Sequence, residues 1–171
     1  SRDWSSDVCS SDLIITGSIS VANAGAAYTN LAEVILRELF HHVLDEFSRE
    51  NGYIENGEVA VIAMGKLGGF EMTAASDLDL ILIYKADPAA SSIGCEKGLS
   101  TSHYYARLTQ RLITALSAQT TEGILYETDF RLRPSGNKGP IAISIERFID
   151  YQATEAWTWE HMALTRARVI A

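Results

Sequence analysis

Long apolar runs are missing from this chain, and basic residues are scarce. No run approaches the roughly 18 apolar residues that a membrane-spanning helix needs. Lysine and arginine number 14 against 22 acidic residues, so the net charge is −8. A surface that coats nucleic acid needs clustered Lys and Arg, so this balance argues against that class of protein. A nucleotide as a small substrate needs only a few local cations.

Cysteine is also scarce, since Cys9 and Cys95 are the two in the chain. Their spacing matches neither a metal site nor a disulfide framework, and no signal peptide is visible. We therefore expect a reducing, cytoplasmic setting. With 171 residues and 47% hydrophobic content, the chain is long enough for one soluble domain with its own core.

The chain divides into three parts by composition and pattern. Residues 1–13 contain the echoed segments Ser5-Ser-Asp-Val8 and Ser10-Ser-Asp-Leu13, and we interpret them as a non-native or disordered tail. Residues 14–57 are expected to be a helical lead-in from a preceding region, because apolar side chains recur at three- and four-residue steps. Residues 58–171 are expected to form the functional domain, and the whole chain to be a fragment of a larger one.

Two acids open the most apolar strand of that domain. A strand is predicted over Leu78–Tyr84, following a first strand at Val59–Met64. Asp77 and Asp79 point to the same face, roughly 7 Å apart, because side chains alternate along a strand. A charge inside an apolar run is costly unless it is paired or metal-bound. The pair therefore favours a site for divalent cations over a solvated strand end, which is the commoner setting of Asp-x-Asp.

A glycine-containing turn lies between the two strands. Gly68 and Gly69 carry no Cβ, so their backbone N–H groups could come close to a phosphate. Lys66 in the same turn and Lys138 in a later glycine-containing loop are weaker phosphate candidates, for which plain solvent exposure is an equal alternative. Together with the two acids, the turn predicts a phosphate cradle beside a metal platform.

A third strand, predicted over Ile124–Leu132, carries another acid. Alternation places Asp129, Arg131 and Arg133 on one face. If this strand neighbours the second, three carboxylates meet and can hold two Mg²⁺ about 4 Å apart. The arginines could neutralise a triphosphate or a departing pyrophosphate with paired N–H donors. The alternative is that they form salt bridges with Glu127 or other local acids.

The fold expected from these elements is α+β, a small mixed sheet that carries the acids and is flanked by helices. Near the C-terminus, Trp157, Trp159, Met162 and Leu164 are expected to serve packing rather than stack on substrate. One of the two Trp is expected to be partly exposed, because their i, i+2 spacing puts them on different helix faces. His161 is expected to be a packed or capping histidine, because phosphoryl-type transfer needs no dedicated histidine.

Four segments together resemble the glutamine synthetase adenylyltransferase family, within the DNA polymerase beta-like nucleotidyltransferase superfamily. The resemblance covers about residues 58–171, so it implies that these form the nucleotidyltransferase domain. The segments are Gly65-Lys-Leu-Gly-Gly69, Ser76-Asp-Leu-Asp-Leu80, Ile124-Leu-Tyr-Glu-Thr-Asp-Phe-Arg-Leu-Arg-Pro-Ser-Gly136 and Glu155-Ala-Trp-Thr-Trp-Glu-His161.

The resemblance implies an enzyme with two homologous halves, one that attaches AMP from ATP to a tyrosine of glutamine synthetase and one that removes it by phosphorolysis. The last segment and Arg133-Pro-Ser-Gly136 are more similar to the C-terminal, adenylylating half, and the removing half is the alternative within the family. The resemblance also implies ATP as substrate, two Mg²⁺ ions, glutamine synthetase and the PII signalling protein as partners, and a role in nitrogen metabolism. It makes Asp77, Asp79 and Asp129 the metal-binding acids. A silent nucleotide-binding regulatory module is the alternative of another class.

Within the resemblance, the nucleotide-binding residues are expected to come from the glycine turn, the start of the second strand and the third strand. They are Lys66, Gly68, Gly69, Ser76, Arg131 and Arg133.

Overall fold

The computed structural model describes residues 14–121 and 123–171, so the prediction for residues 1–13 lies outside the described residues. The helices are α1 (Val21–Asn51), α2 (Gly65–Gly68), α3 (Thr101–Leu116), α4 (Ile145–Thr154) and α5 (Thr158–Leu164), with a 3₁₀ turn at Gly136–Lys138. The strands are β1 (Glu58–Ala63), β2 (Leu78–Lys85), β3 (Thr128–Asp129), β4 (Ala142–Ser144) and β5 (Arg168–Val169).

Strand β2 is the centre of a mixed five-stranded sheet. One edge of β2 pairs antiparallel with β1, which in turn pairs antiparallel with β5. The other edge pairs in parallel with β3 near its start and with β4 near its end. The predicted α+β fold with a small mixed sheet and flanking helices is confirmed.

Both faces of this sheet are covered by helices, which explains why β2 is nearly continuously apolar. Leu78, Leu80 and Leu82 lie in the larger core with side chains of α1 and α3. Ile81 lies in the smaller core on the other face, where residues of α4 and α5 pack. Alternation along β2 therefore places Asp79 on the face of Ile81, just where the strand begins.

Helix α1 lies within the predicted helical lead-in of residues 14–57 and packs on the domain itself. It begins after Ser20, whose Oγ accepts a hydrogen bond from the N–H of Asn23, a standard N-cap. It ends at Gly52 with φ +72°, as expected for a helix-terminating glycine. Leu36 and Phe40 on its inner face belong to the larger core. The domain boundary at residue 58 stays a prediction, but α1 shares its core with the sheet.

The third strand is shorter than predicted. Pairing with β2 is confined to Thr128 and Asp129. The strand stops because the N–H of Arg131 donates to Oδ1 of Asp129 at 2.7 Å, a local turn in which an Asp side chain replaces a backbone acceptor. The expected alternation of Asp129, Arg131 and Arg133 along one extended strand is therefore wrong beyond Asp129.

The C-terminal aromatic residues are a second correction. Trp157, Trp159 and Met162 are 71%, 57% and 66% exposed, so the packing predicted for them is wrong, since only one of the two Trp was expected to be partly exposed. Helix α5 has seven residues and turns only its last ones, including Leu164, toward the smaller core. Nε2 of His161 lies 2.9 Å from the carbonyl oxygen of Gln152 in the last turn of α4, which fits the expected capping role.

No helix within residues 14–121 and 123–171 is both long enough and apolar enough to cross a bilayer.

Candidate metal and nucleotide site

The parallel pairing of β2 with β3 brings the three acids together. Asp79 is the direct partner of Asp129 across the two strands, and Asp77 precedes β2 by one residue. One carboxylate oxygen from each of Asp77, Asp79 and Asp129 lies within 4.8 Å of the others. The sequence predicted this convergence on the condition that the two strands were neighbours, and they are.

The three acids differ in burial and in charge environment. Asp79 and Asp129 are half-buried, whereas Asp77 is exposed. Burial raises the pKa of Asp79, and the neighbouring charges of Asp77 and Asp129 raise it further. Clustered carboxylate oxygens that repel one another provide the donor set preferred by hard divalent cations such as Mg²⁺. The residues present therefore fit the ion that the sequence predicts here.

Gly65 makes room for Asp79. It follows β1, has φ +52°, and a Cβ at this position would collide with Oδ2 of Asp79. The backbone supports the same contact, because the N–H of Met64 donates to the carbonyl oxygen of Asp79 at 2.9 Å. Lys66 is next in the chain, and its charge lowers the pKa of Asp79, although burial and the two acids outweigh it. Sequence reasoning missed Gly65, although a glycine directly after a buried strand is the kind of signal that marks close approach.

The glycine turn is the one-turn helix α2, and its later glycines serve packing. The N–H of Gly68 donates to the carbonyl oxygen of Met64 at 2.8 Å, and the N–H of Gly69 donates to that of Gly65 at 3.1 Å. Both amides are therefore engaged within the helix. A Cβ at Gly68 would collide with the carbonyl oxygen of Arg166. Phosphate binding by Gly68 and Gly69 stays a prediction, and it would require these amides to leave their present acceptors.

Arg131 is bound to one of the three acids. Its Nε donates to Oδ2 of Asp129 at 2.7 Å, and Nη2 donates to the same oxygen. This hydrogen bonding holds the pKa of Asp129 below its usual range. Arg131 therefore forms a local salt bridge in this structure, and its partner is Asp129 rather than Glu127.

Arg133 lies close by, on the wall of a cavity of about 370 Å³ that Asp77, Asp129 and Arg131 also line. Its Nη1 donates to the carbonyl oxygen of Phe130. Its Nε is buried and has no hydrogen-bond partner among the described residues. Burial lowers the pKa of the guanidinium. Both arginines thus border the acids, and their contact with a nucleotide stays a prediction.

The remaining predicted residues lie at the edges of the site. Ser76 is buried, and its Oγ accepts a hydrogen bond from the N–H of Thr73 at 2.9 Å, which closes the turn before β2. Lys138 is exposed in the 3₁₀ turn. Ser76 therefore shapes the entry to β2, and nucleotide binding by Ser76 stays a prediction.

Comparison with known proteins points in one direction. A family model described as glutamate-ammonia ligase adenylyltransferase matches residues 7–171. Proteins named bifunctional glutamine synthetase adenylyltransferase/adenylyl-removing enzyme are similar to 92% of this chain. They include those of Brucella suis biovar 1 (strain 1330), 55% identical, Mesorhizobium japonicum, 54% identical, and Bartonella henselae, 53% identical. The chain spans 16% of the length of each of these relatives.

Proposed function

The chain belongs to the glutamate-ammonia ligase adenylyltransferase family, and we propose that it transfers AMP from ATP to a tyrosine of glutamine synthetase. The observation that carries the proposal is the convergence of Asp77, Asp79 and Asp129 within 4.8 Å at the start of β2. Each of the three is supplied by a motif of the family resemblance.

The three carboxylates would hold Mg²⁺. When bound there, the metal activates the attacking oxygen and offsets the charge that develops on the transferred phosphorus. Asp79 is positioned by the β2–β3 pairing and by the space that Gly65 leaves. Asp77, which is exposed, is free to reach the solvent side of the cluster. The chain's own contribution is therefore two oxygen donors held by strand pairing, Asp79 and Asp129, and a third, Asp77, at their exposed side.

Arg131 and Arg133 would bind phosphate oxygens of ATP. Both border the cavity beside the acids, and a guanidinium can donate two parallel hydrogen bonds to phosphate. The side chain of Arg131 is 69% exposed, so it can turn from Asp129 to a ligand without disrupting the core. Lys66, whose charge acts on Asp79, would add a third cation.

The direction of the reaction is proposed to be AMP addition. Phosphorolysis must admit inorganic phosphate, a dianion, and so calls for more positive charge than the attack of a neutral phenol. Apart from Arg131 and Arg133, the motif segments add only Lys66 and Lys138 as cations, whereas Glu71, Glu122 and Glu127 lie in or near them. The Trp-Thr-Trp segment at Trp157–Trp159 resembles the adenylylating half. The PII signalling protein is proposed as a regulator on the family resemblance alone.

The test is the intact mass of glutamine synthetase after incubation with this protein, ATP and Mg²⁺. AMP transfer adds one adenylyl group per modified subunit, and the Asp79→Asn variant should not produce it. A second arm supplies adenylylated glutamine synthetase with phosphate. ADP release in the second arm without transfer in the first would assign the removing reaction instead. Nucleotide binding with no reaction in either arm would support the silent regulatory module. A full-length relative run in parallel controls for parts absent from this chain.

A further inference from the structure

Arg168, on the edge strand β5, joins three separate parts of the fold. Its Nε donates to the carbonyl oxygen of Gly68 at 3.0 Å, and its Nη2 donates to that of Leu67 at 3.3 Å. Its Nη1 donates to Glu33 of α1 at 3.0 Å. Its guanidinium carbon also lies 3.8 Å from the centroid of the Phe70 ring, within the range of a cation–π contact. One side chain thus binds the C-terminal end of α2 and anchors it to α1.

The anchor is partly buried. The side chains of Arg168 and Glu33 are 27% and 16% exposed, so solvent competes little for their charges. The other oxygen of Glu33 accepts from Nη2 of Arg37 at 2.9 Å, so the carboxylate is held by two arginines. Arg37 lies on α1 itself, and its Nε donates to the carbonyl oxygen of Ile170 at 3.2 Å. It therefore shares Glu33 with Arg168, but among the described residues it makes no hydrogen bond to α2.

Helix α2 lies between this anchor and the metal site. At its start, Gly65 lies against the carboxylate of Asp79, with no space for a Cβ. At its end, Gly68 lies against the backbone of Arg166, and its carbonyl oxygen accepts a hydrogen bond from Nε of Arg168. The helix has four residues, so it cannot hold itself in place by its own hydrogen bonds. Displacement of its end would therefore move Gly65 relative to Asp79.

We propose that Arg168 is a positioning residue for the acidic cluster: it clamps α2 from the far side, so that Gly65 and Lys66 keep their places beside Asp79. The contribution to catalysis rests on the proposed function, whereas the clamp itself does not. A guanidinium is suited to the task because its planar fork reaches two carbonyls and a carboxylate at once. A lysine at this position could reach fewer of these acceptors.

The clamp is tested first without any reaction, by hydrogen exchange of the peptide spanning residues 64–72. Its amides at Gly68, Gly69 and Glu71 are bonded to acceptors in and around α2, so a loosened helix exchanges faster. Arg168→Gln should speed exchange of this peptide at least threefold, with Arg168→Lys in between. The matched control Arg37→Gln should leave it unchanged. Arg168→Lys and Glu33→Gln keep the test available if Arg168→Gln does not fold.

The second measurement is AMP transfer with a titration of Mg²⁺. Arg168→Gln should slow transfer roughly ten- to a hundredfold, the scale of a small misplacement of reacting groups, and raise the half-saturating Mg²⁺ concentration. Arg37→Gln should do neither. Unchanged exchange of residues 64–72 in Arg168→Gln, or equal effects of the two arginine variants, would overturn the clamp. Absence of transfer by the unsubstituted protein would instead overturn the proposed function, and the exchange result would still decide on Arg168.

Discussion

Replacing Asp79 by asparagine should make the metal-free protein more stable. Burial and two nearby acids raise the pKa of Asp79, so its folded form binds a proton more readily than its unfolded form. Protonation of such a group stabilises the folded protein as pH falls, whereas its ionised form destabilises the folded protein at neutral pH. An amide of the same shape removes that cost. The variant should therefore melt higher than the unsubstituted protein at pH 7 in the presence of a chelator.

The size of the effect follows from the geometry. Two unit charges within 4.8 Å repel by about 1–3 kcal/mol between water-like and surface-like screening. Arg131 already offsets Asp129, and solvent reaches the site, so we expect about 1–2 kcal/mol. For a chain of this length that is a rise in Tm of about 2–8 °C. Mg²⁺ at ten times its Kd should stabilise the unsubstituted protein by about 1.4 kcal/mol and the variant hardly at all.

The assay is a melting curve by circular dichroism, with EDTA and with Mg²⁺. Asp45→Asn is the matched control, since Asp45 is an exposed aspartate on α1 and should change neither curve. Two results would refute the reasoning. One is a lower Tm of Asp79→Asn in EDTA, which would mean that the carboxylate stabilises the fold. The other is an undiminished response to Mg²⁺, which would mean that the cation binds elsewhere.

Three further predictions concern the neighbours of Asp79. Gly65→Ala should destabilise the protein by about 1–3 kcal/mol, because a Cβ collides with Asp79 and φ is +52°. Denaturant unfolding measures this change, and unchanged stability would show that α2 shifts freely. Arg131→Ala should tighten Mg²⁺ binding about two- to fivefold, because the guanidinium no longer competes for Asp129. It should also raise the KM for ATP. Calorimetry measures the Mg²⁺ affinity and steady-state kinetics the KM, and weaker Mg²⁺ binding would contradict the competition. Since Arg131 lowers the pKa of Asp129, the ionised Asp129 adds stability above its unfolded pKa of about 3.9, and this is lost as pH falls through the lower folded pKa. Asp129→Asn should flatten that acid limb of a pH series of melts, and an unaltered limb would exclude Asp129 as its source.

Local pattern was sufficient for the elements that form the site. Alternation and a long apolar run identify β2, because a strand covered on both faces has to be apolar nearly throughout. The same alternation places Asp77 and Asp79 on one face without knowledge of any other strand. Gly68 and Gly69, the three acids and the two arginines were each identified within their own short segment, whereas Gly65 was missed. The family, too, was recognisable from four short segments.

Two predictions from local periodicity were wrong, one through a local side-chain contact and one through the way a helix packs. Alternation predicted one extended face for Asp129 and Arg131, but Arg131 turns back to bond with Asp129. Helical spacing predicted that one of the two Trp packs and the other is partly exposed, yet both Trp157 and Trp159 are exposed, because only the end of α5 meets the smaller core.

Only the tertiary structure joined the acids into one cluster, since Asp79 and Asp129 meet through parallel pairing of strands that lie far apart in the chain. The role of Arg168 was equally invisible in sequence. Its hydrogen-bond acceptors are about one hundred residues or more away, and no local pattern records which strand edge will lie beside which helix end. Periodicity reports the face a residue occupies, whereas the partner on that face is set by how the chain packs as a whole.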